Sequence, residues 1–435
     1  MTPKGSEVSA YDRLRHDDQQ LCALLAAGKL ERELQAVFGP ALHRELARLA
    51  RRAARRPPSH ATTVIVVPGI LGSQLGELRT APLPPDLLWL DPQDVLAGRL
   101  MHLRLPGAAL VPLGALPFSY LPLRLRLQAA GYEVAVHDYD WRLDLGTLAA
   151  ALAARVRAIA GPVSIIAHSM GGLLARAALP ALAGVPLERL VLLGVPQRGA
   201  FGALQALRGS YPVVRRLAAL DAGHDADSLA SEVFASFPSL YQLLPDADWA
   251  GLDLHDVTRW PAQGPQPDAA LLQQARGFLA SLPAPDARCF QVVGTGQRTV
   301  TGLGPGAGAA VGVDGFRYEI DSLGDGTVAC TSAALPGVAT WALHCEHSRL
   351  PRDARVGRAL LALLAGREPT QLARLALPAT SQPRRVHVDD RELARNWNTK
   401  VDWGRLAADA RREYLENLNL PPPQYAARGP RVPAP

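Results

Sequence analysis

Residues 163–179, VSIIAHSMGGLLARAAL, constrain the fold more than any other part of the chain. An unbroken apolar run, Val163 to Ala167, passes without a spacer into His168-Ser169-Met170-Gly171-Gly172. Leu173, Leu174, Ala177 and Ala178 then recur at helical spacing until Pro180. A strand that turns at once into a helix needs small residues at the turn, because the helix must return close against the strand it left. Such an elbow lifts the side chain at its apex, here the hydroxyl of Ser169, above the sheet. The first small position is Ala167 rather than the commoner glycine, and a methyl group is tolerated there.

The surrounding pattern agrees with one sheet. From Thr62 onward, short apolar or β-branched runs alternate with helix-length stretches: TTVIVV, YEVAVH, VSIIA, RLVLLG and CFQVVGTG. Continuously apolar strands separated by helices predict a mostly parallel central sheet with helices on both faces. In such sheets function gathers at the carboxyl ends of the strands, where Ser169 falls. Between about 200 and 285 the strand pattern stops, and short helical pieces carry Phe201, Tyr211, Phe234, Phe237, Tyr241 and Trp249. We read this stretch as a helical cap or lid insertion, with ordinary core the competing reading of its aromatic residues.

These patterns divide the chain into a helical N-terminal extension (1–60), a catalytic domain (61–370) and a C-terminal extension (371–435) whose end, PPPQYAARGPRVPAP, is predicted to be disordered. Residues 11–56 read as helical, with Leu42, Leu46, Leu49 and Ala53 on one stripe and Arg44, Arg48, Arg51, Arg52, Arg55 and Arg56 around it. That helix either docks on the domain with solvated arginines or lies on an anionic membrane surface. The net charge of +6 comes almost wholly from arginine and is spread along the chain, which argues against a nucleic-acid footprint. The polar start and the charge within every apolar run predict a cytoplasmic protein with no signal peptide and no spanning helix. Cys22, Cys289, Cys330 and Cys345 have no metal-site spacing and read as structural thiols. TGLGPGAGAAVG lacks the ending of a phosphate loop and reads as a mobile loop, so no cofactor or metal is expected.

A free hydroxyl is a poor nucleophile near neutral pH, so Ser169 requires a base and a carboxylate to orient that base. After an elbow of this kind they follow in the order acid, then histidine, as in the α/β-hydrolase fold. Asp325, in the glycine-flanked turn of SLGDGTVAC, is the preferred acid over Asp321 and Asp314. Only His344, His347 and His387 lie beyond it. His347, in a loop before the helical run RVGRALLALLAG, is preferred, while His344 reads as a satisfied buried histidine. His168 adjoins the serine, but the elbow directs it away. The developing oxyanion requires donors, which we place at the backbone N–H groups of Met170 and of Ile70, the latter in the loop PGILGSQL after the first strand.

The motifs VVPGILGSQL, LLWLDP, YDWR, AHSMGG, LGVPQRGA, FPSLYQLLP and GDGTV occur here in the order found in lecithin:cholesterol acyltransferase-like proteins, which the chain resembles over about residues 62–365. The resemblance implies an α/β-hydrolase fold, a Ser169–Asp325–His347 triad, an oxyanion hole at Ile70 and Met170, and lipid acyl esters as substrates. It also implies that Asp140-Trp141-Arg142 is a structural turn beside the site. Neither the signal peptide nor the disulfide-pinned lid of the family's secreted members is apparent. Hydrolase and O-acyltransferase share the first chemical step, so both remain open. So do a small-ester or amide hydrolase and a non-catalytic adaptor that uses the two extensions.

Overall fold

The computed structural model of the chain describes residues 18–304, 315–377, 386–394 and 400–419. Asp314, most of the glycine-rich loop reading and the proline-rich end lie outside the described residues.

Thirteen strands are described: β1 Thr63–Val67, β2 Ser73–Glu77, β3 Asp86–Trp89, β4 Val111–Ala115, β5 Glu133–Val136, β6 Val163–His168, β7 Leu187–Leu193, β8 Cys289–Thr295, β9 Thr299–Leu303, β10 Arg317–Asp321, β11 Ala339–His344, β12 Ala373–Arg374 and β13 Val386–Asp389. Seven of them form the central sheet in the order β12-β11-β8-β7-β6-β1-β5. All neighbours are parallel except β12, which runs antiparallel to β11. The five apolar runs of the sequence are β1, β5, β6, β7 and β8. The continuous apolarity of the inner strands follows from cover on both faces: every residue of β6, and all but the first of β1, is buried, while the edge strand β5 leaves Glu133 exposed. Helices lie on both faces, which makes this an α/β-hydrolase fold.

Two small antiparallel sheets, β3-β2-β4 and β13-β10-β9, sit outside the central one. Residues beyond 370 supply β12 to the central sheet and β13 to a small one, so this stretch is woven into the body of the fold. Between 200 and 285 the described elements are all helical. Phe201, Phe234, Phe237 and Tyr241 are buried there in the main core, and Trp249 packs against Phe201.

The first extension is two helices, Asp18–Ala27 and Glu31–Ala54, and the second is broken at Gly39 before Pro40. Leu34, Phe38, Leu46, Ala47, Leu49 and Ala50 bury against Leu121 and Leu125 of the helix Pro117–Ala129. Arg44, Arg48, Arg51, Arg52, Arg55 and Arg56 remain exposed. The helix is therefore docked, with its apolar stripe spent on the domain. No helix among the described residues is long and apolar enough to cross a membrane.

Candidate active site

Ser169 stands at the turn between β6 and the helix Met170–Ala178, with φ 54° and ψ −130°. A left-handed φ is strained for any residue with a Cβ, and such strain persists only where the surroundings over-determine it. The contacts that do so are local. The Ser169 N–H donates to the Leu193 carbonyl at 2.8 Å, and the Gly172 N–H donates to the Ser169 carbonyl at 2.9 Å. Gly171 lies so close to the first loop that a Cβ would fall 2.2 Å from the Pro68 oxygen.

The three residues singled out as nucleophile, acid and base come together. His347 Nε2 lies 2.8 Å from Ser169 Oγ, and His347 Nδ1 lies 2.7 Å from Asp325 Oδ2. The second oxygen of Asp325 accepts the backbone N–H groups of Thr327 (3.0 Å) and Val328 (2.7 Å), so the turn itself fixes the carboxylate. The His347 N–H donates to the Asp325 carbonyl at 2.8 Å, which couples the two loops. Asp325 is 1% exposed, against 7% for Ser169 and His347, so the serine–histidine end alone reaches the cleft.

The competing candidates lie elsewhere. Asp321 accepts from Thr301 Oγ1 and the Leu323 N–H. His344 is exposed beside Gln297 rather than buried, because it occupies the outward-facing end of β11. His387 is exposed near Glu319. Burial pushes the Cys330 and Cys345 thiols up to about 11 and about 12, so near neutral pH both stay protonated and neither offers a thiolate.

Met170 opens its helix, where a backbone N–H has no acceptor within the helix. Ile70 lines the cleft with Ser169. The preceding N–H, that of Gly69, is occupied by the Tyr120 hydroxyl at 2.9 Å. The loop carrying Ile70 is tied down by aromatic side chains. Trp89 Nε1 donates to the Leu71 carbonyl (2.8 Å), the Tyr139 hydroxyl to the Pro68 carbonyl (2.7 Å) and Trp141 Nε1 to the Ser73 carbonyl (2.9 Å). Leu71 has φ 61°, a second strained residue at this edge of the cleft. Thus LLWLDP and YDWR clamp the loop, and Arg142 is held internally by Asp140 at 2.7 Å and by the Leu103 carbonyl.

His168 and Gly194 have places at the site that the sequence reading missed. His168 is not turned away from the site: its ring centroid lies 4.7 Å from that of His347, and its Nε2 donates to the His347 carbonyl at 3.2 Å. Its Nδ1 faces the Tyr120 hydroxyl at 2.9 Å. The His347 carbonyl can only accept, so the neutral His168 ring carries its proton on Nε2 and its Nδ1 accepts from the Tyr120 hydroxyl. Desolvation, with the neighbouring His347, holds its pKa well below the usual histidine range. Gly194, with φ 55°, is the other: a Cβ there would press within 3.2 Å of both Asp325 Oδ2 and His347 Nδ1. The motif LGVPQRGA contained that glycine, but only the fold shows that it lies under the acid–base pair.

The cleft at Ser169 is open to solvent and is lined by Ile70, Leu71, Trp89, Leu90, Leu116 and Phe118, among others. Of the aromatic residues noted between 200 and 285, Tyr211 is the one that faces it.

The fold and the Ser–His–Asp geometry define the class as α/β-hydrolase. No family model matches the chain, and no curated protein sequence matches it. Among solved structures, the chain is similar to the mature lipase BlEst2 of Bacillus licheniformis, with 17% identity and a TM-score of 0.36 over 71% of this chain and 93% of that one. It is similar to the Tle4–Tli4 complex (13% identity, TM-score 0.37, 54% and 75% of the two chains) and to the NocB thioesterase domain from the nocardicin cluster (16%, 0.32, 72% and 97%). These likenesses are distant and transfer no activity to this chain, whose chemistry has to be read from its own geometry.

Proposed function

We propose that the protein is a serine esterase acting on lipid acyl esters through an acyl-enzyme on Ser169. The observation that carries the reading is the unbroken line from Asp325 Oδ2 through the His347 ring to Ser169 Oγ, with contacts of 2.7 and 2.8 Å. In the proposed reaction Ser169 Oγ attacks the ester carbonyl carbon as His347 Nε2 takes its proton, and Asp325 holds the Nδ1–H of the resulting imidazolium. The N–H groups of Met170 and Ile70 donate to the oxyanion. Collapse expels the alcohol, which leaves with the proton from Nε2. Water, or a second alcohol, then attacks the acyl group by the reverse sequence, which restores the Ser169 hydroxyl.

Lipid substrates are supported by the apolar lining of the cleft and by the ordered motifs shared with lecithin:cholesterol acyltransferase-like proteins. The test is hydrolysis of a fluorogenic ester series by the wild type and by Ser169→Ala. Turnover is expected to fall by about a millionfold, to background. A preference for acetate would move the reading to small esters, and equal background in both proteins would refute catalysis. With an acceptor alcohol present, free acid alone would identify a hydrolase, and acylated alcohol a transferase.

A further inference from the structure

Residues 400–419 reach the cleft from outside the central sheet. They comprise a turn, Trp403–Arg405, the helix Ala408–Glu416, and a short ending in which Leu418 and Asn419, with Leu415 and Glu416, line the same cleft as Ser169 and His347. Leu415 and Leu418 are buried, so their apolar surface is set against the cleft and its walls rather than against bulk water.

The segment is fastened at several points. The Lys400 ammonium donates to the carbonyls of Ala218 (2.7 Å), Asp221 (2.6 Å) and His224 (3.1 Å). It thereby closes the carboxyl end of the helix Pro212–Leu220, whose last carbonyls lack partners within the helix. The Val401 N–H donates to the Ala219 carbonyl at 2.8 Å. Tyr414 donates its hydroxyl to the Arg216 carbonyl at 2.8 Å, beneath the Arg216 guanidinium. Glu416, buried, pairs at 2.8 Å with Arg352, five residues beyond His347. Asn419 Nδ2 donates to Thr327 Oγ1 at 3.4 Å, two residues beyond Asp325. On its other side the helix closes on the broken first extension, where a Cβ at Gly39 would lie 2.5 Å from Asp409 Oδ1.

We propose that residues 400–419 are the specificity wall of the cleft, with Leu415 and Leu418 setting the length and bulk of the acyl ester admitted. This rests on the esterase reading. The anchoring decides between a fixed wall and an opening flap. Lifting the segment would break the Glu416–Arg352 pair and the three carbonyl contacts of Lys400 and would expose Leu415 and Leu418 to water, so all of these contacts oppose opening. Ile70 and Leu71 belong to the loop proposed to supply an oxyanion donor, and Trp89 ties that loop down, so they cannot vary without disturbing it. Leu415 and Leu418 are free of that duty, which suits them to tune selectivity.

The experiment uses the full chain carrying Leu415→Ala with Leu418→Ala, and separately Leu418→Trp, against esters from acetyl to palmitoyl. A parallel readout is the labelling rate with short-chain and long-chain alkyl fluorophosphonates. In that reaction Ser169 Oγ bonds to phosphorus, fluoride leaves and His347 takes the proton. The long-to-short ratio is expected to rise about tenfold or more in the alanine variant, as for added room in an apolar pocket, and to fall in the tryptophan variant. Leu418→Trp carries the test if the alanine variant does not fold. Ratios equal to those of the wild type, with labelling intact, would overturn the wall. A wild type that neither hydrolyses nor labels would instead overturn the esterase reading.

Discussion

Tyr120 does more than fill space beside the cleft. Its hydroxyl is the midpoint of a line from the Gly69 N–H to His168 Nδ1, and His168 Nε2 continues that line to the His347 carbonyl. One side chain from the helix Pro117–Ala129 thus fixes the loop of Ile70 and the loop of His347 relative to each other. Tyr120→Phe removes the oxygen and leaves two buried polar groups unpaired, at a cost of about 1–3 kcal/mol. The urea midpoint should fall accordingly. Because the oxygen touches neither Ser169 nor the triad contacts of His347, kcat should fall through misplacement while KM stays near the wild-type value. An unchanged midpoint would show that water replaces the hydroxyl. Nothing in the sequence around Tyr120 marks it, since it is 48 residues from His168 and 51 from Gly69. Ser169, Asp325 and His347 were legible for the opposite reason: each sits in a local motif whose residue types follow from the turn that presents it.

At the scale of elements, the elbow is a packing problem solved by two adjacent glycines. A Cβ at Gly171 would meet the Pro68 oxygen at 2.2 Å, and one at Gly172 would meet Val195 Cγ2 at 2.1 Å. The first obstacle is backbone, in a loop already clamped by Trp89, Tyr139 and Trp141, and cannot give way cheaply. Gly171→Ala should therefore destabilise the fold by about 1–3 kcal/mol or more, as overpacking does. It should also displace the first loop, so loss of Tm is expected together with loss of activity. A stable, active Gly171→Ala protein would mean the loop is looser than its contacts indicate. The same packing explains which elements could be read in advance. The runs that could be read were those of the parallel sheet, continuously apolar in β1 and β6, which are covered on both faces, and half-covered in the edge strand β5. β2, β9, β10 and β13 are short and partly covered, with mixed burial and no clean period to follow. β11, near the sheet edge, alternates imperfectly and ends in an exposed histidine. The 400–419 wall was illegible because its place depends on contacts with residues nearly 200 positions earlier.

Over the whole molecule, buried neutral histidines set the acid limit. Burial, with Arg155 nearby, pushes His137 down to about 4, and both its ring nitrogens lack a partner among the described residues. Burial also lowers His168 and His255. In the unfolded chain each titrates near 6.5, so below that pH the unfolded state binds protons that the folded state refuses. The stability these groups contribute is complete above about pH 6.5 and is lost as pH falls toward 4. The loss amounts to about 3 kcal/mol for His137 alone. Denaturation at pH 7 and pH 4.5 should show the decline, and His137→Leu should flatten it; an equal decline in that variant would exonerate His137. The link between Glu416 and Arg352 has a further consequence, set by the direction of translation. A nascent chain acquires Ser169, Asp325 and His347 before it acquires Lys400, so the groove beside the serine is bounded last. On the proposed reading, the triad is complete in the chain before the helix Ala408–Glu416, which would decide between esters, has been made.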